Sequence, residues 1–340
     1  MIKKYTIQPL FSYKNLFKSI FSLHKKKYNY LFKSGRHSLY HALKFLNKSN
    51  KIKKILLPSL ICNEIIPVIK ELGLDINYYK IKQDLSFDTK DIELYLQKEK
   101  SFFLFVNYFG STYQHKLLKE IKVKYNCIII EDNAHTLTHK NHIREAEDII
   151  SASFNSLRKI LPLLSGSELI INNDNCNIYN KITRFPNIGE IAYSLRWLKI
   201  PMMKNFIKPD KTMQPKKFEV LPIDYFSRRI LEKIKVNFTT IRERRIRNYL
   251  QWKKYLSKHD LNLFEHIHFN ESMIPYAFPC LATSDKSVKY WIKWGQKYQI
   301  NIIKWPDIPY NALPLVKKEN LDKILLFPIN DQFDLTHIIN

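Results

Sequence analysis

Cysteine is scarce in this chain of 340 residues: Cys62, Cys127, Cys176 and Cys280 are the only four, and they stand far apart. No two share the spacing of a zinc site or a redox pair, and a reduced, cytoplasmic compartment suits them. Long apolar runs are missing as well. No stretch approaches the ~20 residues that span a bilayer, and the amino-terminal segment lacks the unbroken apolar core of a secretory signal, so a soluble protein is expected. Acidic residues are few, 31 against 56 lysines and arginines, giving a formal charge of +25. That balance favours an anionic partner, whether nucleic acid, a membrane surface or a phosphorylated substrate, without choosing among them. Much of the excess is lysine scattered beside isoleucine and asparagine, a bias of the whole chain. No internal repeat or low-complexity segment stands out.

What is present is a globular composition, 45% hydrophobic and 14% aromatic, enough for one large core or two modest ones. The texture predicts a basic amphipathic arm over residues 1–29, a large domain over 30–235 and a small carboxyl-terminal domain over 236–340. In the arm, Leu16, Phe17, Ile20 and Phe21 share one helical face beside lysines. Such a face docks on the main body or on a second subunit; a membrane surface is the alternative.

Beyond the arm, Leu39, Ala42, Leu43 and Leu46 fall at helical spacing, in a helix opened by Ser34 and Gly35. Small residues at a helix start leave backbone N–H groups and the positive dipole end free for a phosphate, although they are also ordinary caps. Strands are expected at Lys54–Pro58, Asp75–Tyr79, Ser101–Val106, Cys127–Ile130 and Leu169–Asn172, with helical spacing at 61–72, 89–98 and 113–125. This alternation predicts an α/β fold: a parallel sheet with helices on both faces. From about residue 215 a basic, helix-rich stretch holds Arg228, Arg229 and the cluster Arg242 to Arg247, read as a solvated linker helix. The remainder, with Pro275, Pro279 and Pro306, reads as a small α/β lobe whose short strands are broken by prolines.

Cys127 to Ile130 do not alternate in polarity, which suggests a strand covered on both faces and puts Asp132 at its carboxyl end. In open α/β sheets that edge binds ligands. An acid there and Lys159 further on could face one ligand, and the pair suggests pyridoxal phosphate chemistry. A lysine that joins the aldehyde needs a site that lowers its pKa, and the cofactor needs its phosphate fixed. Ser153 and Ser156 could offer hydroxyls from the same turn. A carboxylate at Asp132 would keep the pyridine nitrogen protonated, and His135 could lie over the ring. The plain readings are a solvated loop lysine, a strand-end cap and a packed histidine. His135, His139 and His142 fall close together, yet no carboxylate or thiol sits at helpful spacing, so no metal is expected.

In their order these segments resemble the DegT-like family of pyridoxal-phosphate-dependent sugar aminotransferases of fold type I. The resemblance rests on Ser34-Gly35-Arg36 with Leu39, Leu57-Pro58-Ser59, Val106-Asn107-Tyr108-Phe109-Gly110, Ile130-Glu131-Asp132-Asn133-Ala134-His135, Ser156-Leu157-Arg158-Lys159 and Phe327-Pro328-Ile329-Asn330. It implies that Lys159 carries the cofactor and moves the proton and that Asp132 holds the ring nitrogen. It further implies that Ser34, Gly35, Arg36, Ser153 and Ser156 hold the phosphate, with His135 near the cofactor. Three positions differ from the family pattern. Ser165-Gly166-Ser167 stands where a Gly-Gly pair is common, Cys62 where many members stack an aromatic on the ring, and Arg36 where Thr or Ser is frequent. Arg36 could add a charge-assisted bond to phosphate.

The resemblance implies transfer of an amino group from glutamate to a keto sugar on a nucleotide, for surface polysaccharide or a modified glycan, by a homodimer with sites between subunits. Sugar dehydratases of the same fold resemble the family with histidine in place of the lysine, and this chain keeps lysine. The alternative from another class is a catalytically degenerate descendant that binds an anionic partner. Nucleic-acid binding rests only on charge and on Arg242 to Arg247, and is not expected.

Overall fold

The computed structural model describes residues 5–24, 26, 28, 30–87, 89–110, 115–138, 148–172, 182–194, 218–265, 267, 273–332 and 335. Its main feature is a seven-stranded sheet of β1 (Tyr30–Phe32), β2 (Lys54–Pro58), β3 (Asp75–Tyr79), β4 (Phe102–Val106), β5 (Ile128–Asn133), β7 (Ala152–Asn155) and β8 (Ser167–Ile171). The spatial order is β1-β8-β7-β5-β4-β2-β3. The four inner pairings, from β3 to β7, are parallel. Their unalternating sequences follow from burial on both faces. Phe102, Leu104, Ile128 and Ile130 join one core with Leu39 and Leu43 of the Gly35–Asn50 helix, while Phe103, Phe105 and Ile129 join another with Leu118 and Ile121.

At one end the sheet turns antiparallel, β7 to β8 and β8 to β1. The connection 156–166 is shorter than the dozen or so residues a parallel crossover needs, so β8 has to return alongside β7. β7 itself falls where a phosphate-binding turn is expected from sequence. Four residues carry too little periodicity to announce a strand.

Residues 261–328 form a second sheet, antiparallel throughout, ordered β12-β13-β11-β9 from β9 (Leu261–Leu263), β11 (Ala277–Ala282), β12 (Ile303–Trp305) and β13 (Ile324–Pro328). Pro279 lies inside β11 rather than breaking it. There β11 pairs only with β13, and its ladder with β9 begins at Cys280, so the missing N–H breaks no bond to β9. Trp252 of the Phe238–Leu256 helix and Trp291 of the Asp285–Lys297 helix pack on Phe278 and Phe327 of this sheet. A two-stranded ribbon of β6 (Thr136–Thr138) and β10 (Met273–Pro275) ties the two sheets together.

Two expectations need correction. The Arg242 to Arg247 cluster is not a solvated face: Arg245 is fully buried and its guanidinium bonds Asp331 and the carbonyls of Pro275, Tyr276 and Ile160. The first helix, α1 (Tyr13–Phe21), does dock on the Tyr225–Lys233 helix, with Leu16 against the core and Ser19 buried. Phe17, Ile20 and Phe21, however, point away and are 67%, 53% and 85% exposed. The small Ser19 allows the close approach, and Arg229 reaches its carbonyl. Lys25 and Lys27 of the arm lie outside the described residues, as do Cys176, His139 and His142. Among the described residues no helix is long and apolar enough to cross a membrane, and no cluster of His, Cys, Asp or Glu could hold a metal ion.

Candidate active site

At the carboxyl edge of the parallel strands a cavity opens against the second sheet. Ser34, Gly35 and Arg36 reach it from the start of the Gly35–Asn50 helix, Asp132 and His135 from β5 and the turn after it, Ser156 and Lys159 from the turn after β7, and Trp305 from β12. Seven of the eight residues singled out from sequence line this one space. Ser153 is the correction. It sits inside β7 opposite Glu131, one residue before the cavity-lining Phe154, so strand alternation turns it to the other face.

Asp132 is buried, and its Oδ1 accepts the Ala134 N–H at 2.7 Å. Asn107 braces the same strand end by donating to Glu131 and Asn133 at 2.7 and 2.6 Å. Burial pushes the Asp132 carboxyl up to about 6, opposed by the Ala134 N–H and the Lys159 charge. The same burial lowers Lys159 below the ordinary lysine range, with Asp132 opposing and Arg158 adding to the effect. The Lys159 ammonium lies 4.9 Å from the centre of the Tyr276 ring, and among the described residues nothing hydrogen-bonds it.

His135 is held in an aromatic box. It stacks on Phe109 with ring centres 4.9 Å apart and planes 4° from parallel, meets the Trp305 edge at 4.7 Å, and has Tyr276 at 6.0 Å on its other side. Burial, then the Lys159 charge, holds the imidazole well below its ordinary pKa and therefore neutral. Its Nδ1 is buried with no hydrogen-bond partner among the described residues. Phe109 supports the stack from a left-handed backbone with φ of 55°, a conformation a phenylalanine holds only where packing over-determines it.

The phosphate-like corner is built from two helix starts. Ser34 precedes the Gly35–Asn50 helix without capping it; its hydroxyl instead meets His37 Nδ1 at 2.9 Å. That leaves the first N–H groups of the helix free on the cavity side. Ser156 precedes the Leu157–Ile160 turn, also without a side-chain cap bond. Arg36 bonds Glu64 at 3.4 Å, and its Nε is buried and has no partner among the described residues. Gly166 has φ of +149°, so the position that needs glycine in the Ser165-Gly166-Ser167 run has it. The flanking serines take up bonds of their own: Ser165 donates to Asp224, and Ser167 meets Ser38 and the Asn155 carbonyl.

Sequence reasoning missed Trp305, Tyr276 and Arg158. Trp305 ends β12 and Tyr276 immediately precedes β11, both more than a hundred residues after Lys159, and nothing local marks them. Arg158 stood in a quoted motif without a role; it lines the cavity and donates to Gln8 at 3.0 Å. Cys62 lines the cavity with its thiol raised by burial, and the aromatic surface near the site is supplied by Trp305 and Phe109.

A buried acid, a lysine relieved of part of its basicity and the open start of a helix meet at the edge of a parallel sheet, the kind of cluster in which carbonyl and group-transfer chemistry is sought. Residues 12–196 match the DegT/DnrJ/EryC1/StrS aminotransferase family, and the chain belongs to that family. No curated protein sequence matches the chain. Among solved structures it is similar to the GDP-4-keto-6-deoxy-D-mannose-3-dehydratase of E. coli with bound hydrated PLP, at 15% identity and a TM-score of 0.63 over 100% of this chain and 98% of that one. It is also similar to NtdA from Bacillus subtilis with bound cofactor PMP, at 16% identity and 0.62 over 96% and 75%. PseC of Helicobacter pylori, an aminotransferase involved in pseudoaminic acid biosynthesis, is similar at 13% identity and 0.63 over 98% and 95%. These likenesses establish the fold as that of fold type I transferases.

Proposed function

We propose that the chain is a pyridoxal-phosphate-dependent aminotransferase that moves an amino group, with glutamate the expected donor, onto a keto sugar carried on a nucleotide. The observation that carries this reading is the convergence of Lys159, Asp132 and His135 in one cavity. The residues fit pyridoxal 5'-phosphate by their own chemistry. Asp132 is a buried acid at the cavity, suited to a ring N–H; His135 Nδ1 lacks a partner among the described residues; and the Gly35–Asn50 helix start, with Ser34, Arg36 and Ser156, suits a phosphate. When bound, the cofactor supplies an aldehyde for the amino group and a ring that accepts the electrons released as a proton leaves the neighbouring carbon.

In this reading the residues divide the work. Lys159, whose surroundings favour the neutral amine, takes a proton at its Nζ and returns it. Asp132, ionised above about pH 6, holds the ring nitrogen in its protonated form. Phe109, Trp305 and Tyr276 fix His135 and exclude water around it. Lysine at 159 supports amino transfer over the dehydration expected of relatives with histidine there. The degenerate-scaffold alternative is not favoured: its motive was the missing glycine pair, and in Ser165-Gly166-Ser167 the one residue with a positive φ, +149°, is the glycine. A homodimer in the cytoplasm, acting in the assembly of surface polysaccharide or a modified sugar, completes the proposal.

The test is the absorption spectrum of the purified protein with added pyridoxal phosphate. Wild type should gain a visible band that Lys159→Ala lacks, borohydride should fix the cofactor on the peptide holding Lys159, and glutamate should remove the band. If no band forms and the variant behaves as wild type, the reading fails.

A further inference from the structure

The face of α1 that the chain leaves bare has no part in the site. α1 is pinned from behind: Leu16 and Ser19 face the core, Arg229 reaches the Ser19 carbonyl, the Ser22 hydroxyl donates to the Lys233 carbonyl, and Lys26 N–H to that of Glu232. Held this way, the helix presents Phe17, Ile20 and Phe21 outward, 67%, 53% and 85% exposed, followed by Leu23 at 95%. Lys14 and Lys18 are exposed on the same side, since at 100° a residue positions 14, 17, 18, 20 and 21 fall on one half of the helix. Apolar side chains bordered by lysines on a docked helix are the arrangement of an interfacial anchor.

Charge decides what covers that face. The first 63 residues hold thirteen lysines and one arginine and not a single aspartate or glutamate. A second copy of the chain, meeting α1 about a two-fold axis, would set Lys14 and Lys18 against their own equivalents with no acid from this region to offset them. A nucleic acid would answer the lysines and leave two exposed phenylalanines, an isoleucine and a leucine without apolar cover. An anionic bilayer answers both, with phosphates for the lysines and acyl chains for the apolar residues. We propose that the face of Phe17, Ile20, Phe21 and Leu23 with Lys14 and Lys18 docks this protein reversibly on the surface of an anionic lipid bilayer.

The proposal is independent of the catalytic reading, because none of these residues lines the cavity. Its test is co-sedimentation of the full chain, with and without pyridoxal phosphate, with phosphatidylglycerol-containing vesicles and with pure phosphatidylcholine vesicles. The chain should pellet with the first and stay in solution with the second, and high salt should release it. Phe17→Ser with Phe21→Ser, and separately Lys14→Glu with Lys18→Glu, should each lower binding roughly tenfold. Far-ultraviolet circular dichroism unchanged from wild type, and an unchanged sedimentation coefficient without vesicles, would show both variants folded and of native mass. Failure of wild type to pellet with the anionic vesicles overturns the proposal. So does full binding by the phenylalanine variant, which would leave only a polyanion site competed by duplex DNA, and so does a halved mass in that variant, which would make a second copy the occupant.

Discussion

Arg245 is a cation fully withdrawn from water, Lys159 a half-buried one in the wall of the cavity, and their surroundings differ. Every nitrogen of the Arg245 guanidinium is bonded: Nε to Asp331, Nη1 to the carbonyls of Pro275 and Tyr276, and Nη2 to that of Ile160, all at 3.1 to 3.2 Å. Among the described residues Lys159 has only an aromatic face and a more distant acid. The first arrangement is frame and the second is working surface: a buried charge with all its donors used fixes its neighbours, whereas one left short of partners is ready to exchange them. The two are joined. Arg245 holds the carbonyl of the residue after Lys159, and it holds the carbonyl of Tyr276, whose ring lies by the Lys159 ammonium and whose N–H bonds the His135 carbonyl.

That contrast can be broken most directly at Lys159. Lys159→Ala should lower transamination by about a thousandfold or more while leaving the urea midpoint of the cofactor-free protein unchanged or slightly higher, because a half-buried, poorly paired cation is gone. A large loss of stability would place Lys159 in the frame instead. Arg245→Met should act the other way, costing about 4 kcal/mol of unfolding free energy by stranding Asp331 and three carbonyls; a denaturant midpoint equal to wild type would dissolve the distinction.

Asp132 sharpens the contrast through pH. Its carboxyl ordinarily titrates near 3.8 and in the folded chain at about 6, so the folded state holds the proton more tightly. The stabilisation from that proton is whole below about pH 4 and is lost as pH rises through about 6. Denaturant unfolding without cofactor should show a decline of about 3 kcal/mol across that window, absent from Asp132→Asn; parallel curves for the two proteins would rule this out. The smallest effect belongs to Gly166→Ala, where φ of +149° strains any side chain. A loss of about 1 to 2 kcal/mol is expected, and a calorimetric melting temperature no lower than wild type would contradict the role given to that glycine.

Much of the large sheet was legible because burial on both faces writes itself locally. Ile55 to Leu57, Phe102 to Val106 and Ile128 to Ile130 need no partner to be recognised as covered strands, and a strand so covered brings Asp132 to a ligand-binding edge. β7 and β1 were not legible, since four and three residues carry no period. Ser153 was misplaced for that reason: a serine counted into a turn belongs to a strand, where alternation turns it away from the cavity. Pro279 misled in the opposite direction, because only the register of β9 against β11 reveals that its missing N–H breaks no bond to that strand.

Arg245 shows the limit most plainly. Four arginines within six residues, Arg242, Arg244, Arg245 and Arg247, read as one basic surface, yet the helix turns one of them into the core, and which one depends on what packs behind it.

Local order along the chain determined the class of fold, the family, and the acid, lysine and helix start that meet at one edge, since each depends on neighbours a few residues away. Tertiary structure alone decided that Trp305 and Tyr276 close the box around His135, that Arg245 is buried, and that Phe17 and Phe21 face outward while Ser19 does not. These outcomes depend on contacts between segments distant in sequence, and burial, which sets both the packing and the charge state of a side chain, exists only once those segments have met.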